Sequence, residues 1–204
     1  DPVEYRMPRV NQTQINPKVG MTFAAGLRSL LRQDPDIIMV GEIRDQETLE
    51  IAMHAAMTGH LVLSTLHTNS AAATLPRMLD MGAEPFLIAS TVNVIIAQRL
   101  VRKLCNECRK PYQLDEKQME ALSKSYDVDQ IFKTLQTTPE TAKIVGSAKS
   151  MRDLTFYMNG GCDQCGGEGY RGRLGIYEVL EMETNIRKLV TQAATTEDLE
   201  NMAR

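Results

Sequence analysis

Residues 36–45 read DIIMVGEIRD and decide the fold. The apolar run 37–40 has no polar alternation, which is typical of a parallel strand buried on both faces. Gly41 and Glu42 follow at once, so the strand would bring a carboxylate to its carboxyl end, where open α/β sheets bind ligands. In nucleotide hydrolases an acidic residue there holds Mg²⁺ or polarises the attacking water. The alternative is a solvated loop glutamate, because an acid after a core strand is common.

The segments around this strand alternate helical and strand patterns, which predicts an α/β domain. Thr22 is the predicted N-cap of a helix reaching about residue 32, and Asp45 that of a helix ending at Gly59. Residues 61–66, LVLSTL, predict a second buried strand.

The later segments predict further helices and one strand. A helix from Asn69 or Ser70 would be kinked or broken at Pro76, and a longer helix would run from Pro85 to about Arg102. The remaining predictions are two short amphipathic helices in 115–136, a strand at 176–180, and helices at 184–194 and 196–204.

Basic and imidazole side chains flank the predicted strands. Arg28 and Arg32 are four residues apart and share a helix face, so they repel each other unless an anion such as a triphosphate lies between them. The alternative is that both face water. His60 and His67 are seven positions apart, an odd number, so on a straight strand they would point to opposite faces. They would therefore act at opposite ends of the second strand rather than together. Thr65 and His67 are two positions apart and would point to the same face, so both could reach a ligand at the carboxyl end of the strand. The alternative is that His67 has only a structural role.

Cys105, Cys108, Cys162 and Cys165 form two C-x-x-C pairs. Without a secretory signal, such pairs indicate a metal site before disulfides, and two knuckles complete the tetrahedron of a structural Zn²⁺ site. Nearby glycines, among them Gly160, permit the tight turns that a knuckle requires. Disulfides and unliganded thiols remain alternatives.

Composition excludes several classes of protein. With 23 Lys and Arg against 26 Asp and Glu, the net charge of −3 argues against a generally basic nucleic-acid wrapper. A hydrophobic content of 43% excludes wholesale disorder. No apolar run approaches the roughly 18 residues needed to span a bilayer. The chain lacks an initiator Met and a signal peptide, so we expect a fragment or a processed product.

Together these stretches resemble the secretion ATPase family, more narrowly the assembly ATPases of type II secretion systems and type IV pili. Residues 1–5 resemble its aspartate box, 38–45 its Walker B, 58–69 its histidine box, and the cysteine pairs its tetracysteine motif. The resemblance implies a partial RecA-like core over 1–104, with a mixed or parallel sheet flanked by helices. A zinc-binding tetracysteine subdomain would follow over 105–172, and a C-terminal strand and helices over 173–204.

The resemblance also implies a function and its residues. The protein would be a hexameric ATPase, peripheral on the cytoplasmic face of the inner membrane, which uses ATP and Mg²⁺ to drive pilin or pseudopilin assembly and docks a platform protein there. Glu42 and Glu4 would be catalytic. Residues associated with the nucleotide or Mg²⁺ would be Asp1, Gly41, Arg28, Arg32, Arg44, Thr65, His60 and His67.

One departure from the family limits this interpretation. The chain contains no G-x-x-x-x-G-K-[ST] phosphate-binding loop, so we expect these 204 residues alone to hydrolyse ATP negligibly. A non-catalytic zinc-stapled adaptor would explain the cysteines, but it gives no reason for Glu42. A thiol redox protein is disfavoured because neither C-x-x-C pair begins a helix after a strand.

Overall fold

A computed structural model describes residues 3 and 5–203 and shows a mixed α/β protein. The helices are α1 (Phe23–Leu31), α2 (Gln46–Met57), α3 (Thr74–Asp80), α4 (Pro85–Thr91), α5 (Glu116–Ser125), α6 (Val128–Thr137), α7 (Pro139–Val145), α8 (Thr184–Thr191) and α9 (Thr196–Ala203). The strands are β1 (Ile37–Val40), β2 (Leu61–Ser64), β3 (Val94–Leu104), β4 (Lys110–Tyr112), β5 (Phe156–Met158) and β6 (Tyr170–Glu181). The chain forms two compact units: Asp1–Arg99 with Ile176–Arg204, and Leu100–Gly175.

The first unit is built on the predicted pair of parallel strands. β1 pairs with β2 in parallel, with Ile37 opposite Leu61 and Val40 opposite Ser64. Helices α1 and α2 begin at the predicted caps, where Thr22 accepts a hydrogen bond from the Ala25 amide and Asp45 one from that of Thr48. α2 packs against β2, and α4 packs against α8.

Only one face of the β1–β2 pair is buried among the described residues. Ile38 and Val40 belong to the core, whereas Ile37 and Met39 are 62% and 68% exposed. Leu61, opposite Ile37, is exposed as well. The expectation that these strands are buried on both faces is therefore wrong for the part of the chain that the structure describes.

Two predicted helices differ from the structure. The helix expected from residue 69 or 70 begins at Thr74 instead. This start places Pro76 in the first turn, where its missing N–H costs no helical hydrogen bond, so there is no break. The helix expected over 85–102 ends at Thr91, and β3 follows. β3 begins with the β-branched residues Val94, Ile95 and Ile96, which favour a strand when a partner strand is present. That partner is β6, which is distant in the sequence and so is not visible in the local pattern.

The second unit has its own core. β4 and β5 pair antiparallel, with Tyr112 opposite Phe156. The predicted helices in 115–136 are α5 and α6, and α7 follows them. Buried side chains from these helices and the following turn form the core: Met119, Phe132, Val145 and Met151. Among the described residues, none of the helices has the length and apolarity that a membrane crossing requires.

Candidate functional site

Glu42 lies at the carboxyl end of β1, where the sequence predicts it. The side chain is only 6% exposed, although it follows the strand by two residues. Two hydrogen bonds join this end of β1 to that of β2: the Ile43 amide donates to the Thr65 carbonyl at 3.0 Å, and Thr65 Oγ1 donates to the Gly41 carbonyl at 2.7 Å. Thr65 therefore uses its hydroxyl to fix the backbone beside Glu42.

Two cationic or potentially cationic side chains contact the Glu42 carboxylate. Arg44 Nε donates to Glu42 Oε2 at 2.5 Å, and His67 Nε2 lies 3.3 Å from the same oxygen. The Arg44 hydrogen bond is the main cause that lowers the pKa of Glu42, and the His67 hydrogen bond and the charges of both residues add to it, against the opposing effect of burial. Glu42 is therefore ionised at neutral pH, and its contacts with Arg44 and His67 fix the position of its carboxylate.

The two histidines lie at opposite ends of β2, as the odd spacing predicts. His60 precedes the strand, and its Nδ1 lies 2.9 Å from the Ala55 carbonyl and 3.2 Å from Thr58 Oγ1. These contacts tie His60 to the end of α2. His67 follows the strand and is 86% exposed beside Glu42. The structure thus brings His67, and not His60, to the acidic residue.

Arg28 of α1 and Arg32, which directly follows this helix, do not share an acidic partner among the described residues. Arg28 Nη2 donates to Glu47 Oε1 at 2.6 Å, so a carboxylate from α2 neutralises it. Arg32 is exposed, and no ion pair to it is present in residues 3 and 5–203. Asp1 and Glu4, the two predicted residues of the aspartate box, lie outside the described residues.

The four cysteines converge in the second unit. Their sulfur atoms all lie within 4.8 Å of one another, and three pairs are separated by 3.7 to 3.9 Å. These separations exclude disulfide bonds, whose length is about 2.05 Å. A tetrahedron with Zn–S bonds of about 2.3 Å has edges of about 3.8 Å. The sulfur positions therefore fit a four-thiolate zinc site.

The surroundings of the sulfurs indicate how a cation would be held. The amides of Cys162 and Gly169 donate to Cys165 Sγ at 3.4 and 3.2 Å, and they lower the pKa of this thiol to about 6. Burial, with hydrogen bonds to the other cysteines, raises the pKa of Cys108 to about 12. A bound divalent cation would hold all four as thiolates.

Two glycines near the cysteines, Gly160 and Gly169, have no room for a side chain. A Cβ at Gly160 would lie 2.0 Å from the Cys108 carbonyl oxygen, and one at Gly169 would lie 2.5 Å from the Gly160 carbonyl oxygen. Gly169 also has a φ of +76°, in the left-handed region that favours glycine. The glycines predicted around the second knuckle thus allow close backbone approach.

Two residues near the site were not indicated by the sequence. Arg99 of β3 and Glu178 of β6 contact the segment that follows His67. Both residues are far along the chain from His67, so no local pattern indicates these contacts. The alternation at 176–180 predicted only that Glu178 lies on a strand.

Comparisons with known proteins define the class. The family described as "Type II/IV secretion system protein" matches residues 1–204, and the chain belongs to this family. It is 46% identical over 204 residues to the type II secretion system protein E of Pseudomonas aeruginosa, covering 100% of this chain and 36% of that protein. It is 48% identical over 206 residues to the type IV pilus assembly ATPase PilB of Acinetobacter baylyi, covering 98% and 32%.

A solved structure supports the fold. The ATPase DotB of Yersinia pseudotuberculosis matches with a TM-score of 0.52 at 20% identity, over 90% of this chain and 33% of that chain. At this identity the match concerns the fold alone. The chain spans about a third of the length of the curated relatives it matches.

Proposed function

We propose that this chain is the part of a secretion or pilus-assembly ATPase that carries the Walker B glutamate and the histidine box. The observation that supports this most is the ionised, buried Glu42 at the end of a parallel strand, with Arg44 and His67 on its carboxylate. Such a carboxylate can accept a proton from, or orient, an attacking water, or hold Mg²⁺ through water.

The flanking side chains have distinct parts in this proposal. His67 is exposed on one side and contacts Glu42 on the other, so it can report a bound phosphate to the carboxylate. Thr65 and Gly41 hold the two strand ends in register. By resemblance, Glu4 would help to position water or Mg²⁺, and His60, like His67, would sense the phosphates or couple subunits. Asp1, Arg28, Arg32 and Arg44 would be associated with the nucleotide or Mg²⁺. The Arg28–Glu47 pair would have to open for such a role.

Hydrolysis in this proposal needs a phosphate-binding loop that the 204 residues do not contain. Such a loop supplies backbone N–H groups and a lysine that neutralise the phosphates. We therefore expect the 204-residue chain alone to hydrolyse ATP negligibly. The complete ATPase would be a hexameric ring at the cytoplasmic face of the inner membrane, where it drives pilin or pseudopilin assembly.

The tetracysteine cluster would hold Zn²⁺ as a structural ion. All four positions of the tetrahedron are filled by cysteine, which leaves no open position for a substrate. The ion would join the two C-x-x-C segments, which are far apart in the sequence, and would stabilise a surface that docks the platform protein of the machine.

A zinc-stapled adaptor without nucleotide chemistry is the alternative. It explains the cysteines, but it does not explain why a carboxylate is buried between Arg44 and His67 at a strand end. The ATPase accounts for both features.

Nucleotide binding separates the two functions. ATP affinity would be measured by calorimetry for the 204-residue chain and for a chain extended to the length of its relatives, each in the presence of Mg²⁺. The ATPase predicts binding by the extended chain at least 100-fold tighter than by the 204 residues, or about 2.7 kcal/mol. No detectable binding by the extended, zinc-loaded chain would favour the adaptor.

A further inference from the structure

Three side chains from distant parts of the sequence contact the segment after His67. Glu200 Oε1 accepts a hydrogen bond from Ser70 Oγ at 3.4 Å, and the two shorter contacts come from Arg99 and Glu178. Arg99 Nη2 donates to the Asn69 carbonyl oxygen at 2.7 Å and to Asn69 Oδ1 at 3.2 Å. Glu178 Oε2 accepts a hydrogen bond from the Ala71 amide at 2.8 Å. We call Arg99 and Glu178 the loop clamp.

Both arms of the loop clamp are charge-assisted hydrogen bonds to backbone groups. Ala71 is buried, and its N–H lies in the loop before α3, where no helical carbonyl is available to it. A carboxylate is a strong acceptor for such a group, and a guanidinium is a strong donor to a carbonyl. The arms come from neighbouring strands, since Gln98 Nε2 donates to Tyr177 Oη at 2.9 Å next to them.

The loop clamp can affect the position of His67 because the His67 side chain itself has few contacts. Before it, Thr65 is joined to the end of β1 by two hydrogen bonds. After it, Thr68 Oγ1 lies 2.9 Å from Thr74 Oγ1 in α3, and the first contact from a distant part of the described chain is that of Arg99 with Asn69. His67 itself is 86% exposed, and its contact with Glu42 is 3.3 Å long. Its position over Glu42 is thus set by the backbone on either side.

We propose that Arg99 and Glu178 are positioning residues that hold the segment 67–71 so that the imidazole of His67 stays on the Glu42 carboxylate. This inference rests on the proposed ATPase function, and it adds residues outside the family motifs quoted above. Neither residue would touch the nucleotide. They would act through the loop.

The loop clamp predicts a specific kinetic effect. A hydrogen bond of 3.3 Å is lost when its partners separate by about 1 Å, and such misplacement of a catalytic group costs up to about 100-fold in rate. Release of one arm should therefore lower kcat by about 10-fold or more. KM should change less than about 2-fold, because neither residue belongs to the phosphate-binding loop that supplies most of the contacts to the nucleotide phosphates.

The test uses the chain extended to the length of its relatives, with substitutions at Glu178 and Arg99. Glu178→Ala removes the acceptor of the Ala71 amide, whereas Glu178→Gln keeps a side-chain oxygen there. Arg99→Ala removes the donor to Asn69, and Arg99→Lys restores one. Glu181→Ala on the same strand is the matched control, because the Glu181 side chain has no hydrogen bond or ion pair in residues 3 and 5–203. Hydrogen exchange of peptides covering 65–73 and ATP hydrolysis are both measured.

We expect faster exchange at 65–73 and a lower kcat in Glu178→Ala and Arg99→Ala, near-normal values in Glu178→Gln and Arg99→Lys, and no change in Glu181→Ala. Faster exchange with unchanged kcat would overturn the positioning role. Unchanged exchange would overturn the loop clamp itself. If the unsubstituted protein hydrolyses no ATP, the proposed function fails, and the exchange data still decide whether the clamp holds the loop.

Discussion

The close approach of Gly160 to the first cysteine knuckle makes a quantitative prediction. A methyl group at this position would lie 2.0 Å from the Cys108 carbonyl oxygen, whereas ordinary contact begins at 3.4 Å. Gly160→Ala must therefore push the backbone at Cys108 away by more than an ångström. Zinc sites tolerate changes in ligand distance of about 0.2 Å. The substitution should consequently displace one ligand beyond what the tetrahedron accepts.

The expected cost has two measurable parts. Overpacking of this kind costs about 2 kcal/mol, which lowers the Tm of a unit of this size by roughly 10 °C. Distortion of the ligand set should weaken zinc affinity by at least about 10-fold. Zinc is quantified by metal analysis and by competition with a chromophoric chelator, and Tm by calorimetry of the zinc-loaded chain.

Gly166→Ala is the matched control for this experiment. Gly166 lies beside Cys165 and has a positive φ of 63°, but a Cβ there would meet nothing within 4 Å. It should cost about 1 kcal/mol from backbone strain and leave zinc affinity unchanged. Equal zinc affinity in Gly160→Ala and the unsubstituted chain would show that the close approach of Gly160 to Cys108 does not set the position of this ligand.

Three further predictions concern the strand ends, the second core and an acidic turn. Thr65→Val keeps the side-chain volume but removes the hydrogen bond to the Gly41 carbonyl, so the free energy of unfolding by urea should fall by about 1 kcal/mol; an unchanged value would show that this bond does not join the strands. Phe132→Ala should cost about 3 to 5 kcal/mol, and calorimetry should show the loss in the transition of the second unit while the first unit is unaffected. Hydrogen bonds from the Lys149 and Ser150 amides lower the pKa of Asp153, so its contribution is present above the ordinary carboxyl pKa and is lost as the pH falls through the lowered value. The Tm difference between the unsubstituted chain and Asp153→Asn should therefore be largest near pH 7 and vanish in strong acid, and a difference independent of pH would contradict this cause.

Much of the candidate site could be predicted from the sequence because it is local. The run 37–40 followed by Gly41 and Glu42 needs no distant partner to place a carboxylate at a strand end. His60 and His67 likewise flank the short run that forms β2, so their positions in the sequence place them at its opposite ends. The two-residue spacing of each cysteine pair is enough to define a knuckle.

Features that depend on distant partners were not predicted. Residues 94–104 have apolar spacing that is compatible with a helix. They form a strand because they pair with β6, which is more than 60 residues further along the chain. Arg28 finds Glu47 on the next helix, which removes the need for an anion between Arg28 and Arg32. The exposed faces of Ile37 and Met39 also differ from the double burial that an apolar run predicts.

In the proposed function, the hydrolysis of ATP depends on the Glu42 carboxylate. The most direct measurement is the steady-state hydrolysis rate of the chain extended to the length of its relatives, with Glu42→Gln beside the matched control Glu50→Gln on α2. Gln keeps the shape of the side chain but removes the charge that Arg44 and His67 hold. We expect a loss of about 100-fold or more in kcat for Glu42→Gln and a normal rate for Glu50→Gln. Equal rates for the two variants would contradict this expectation.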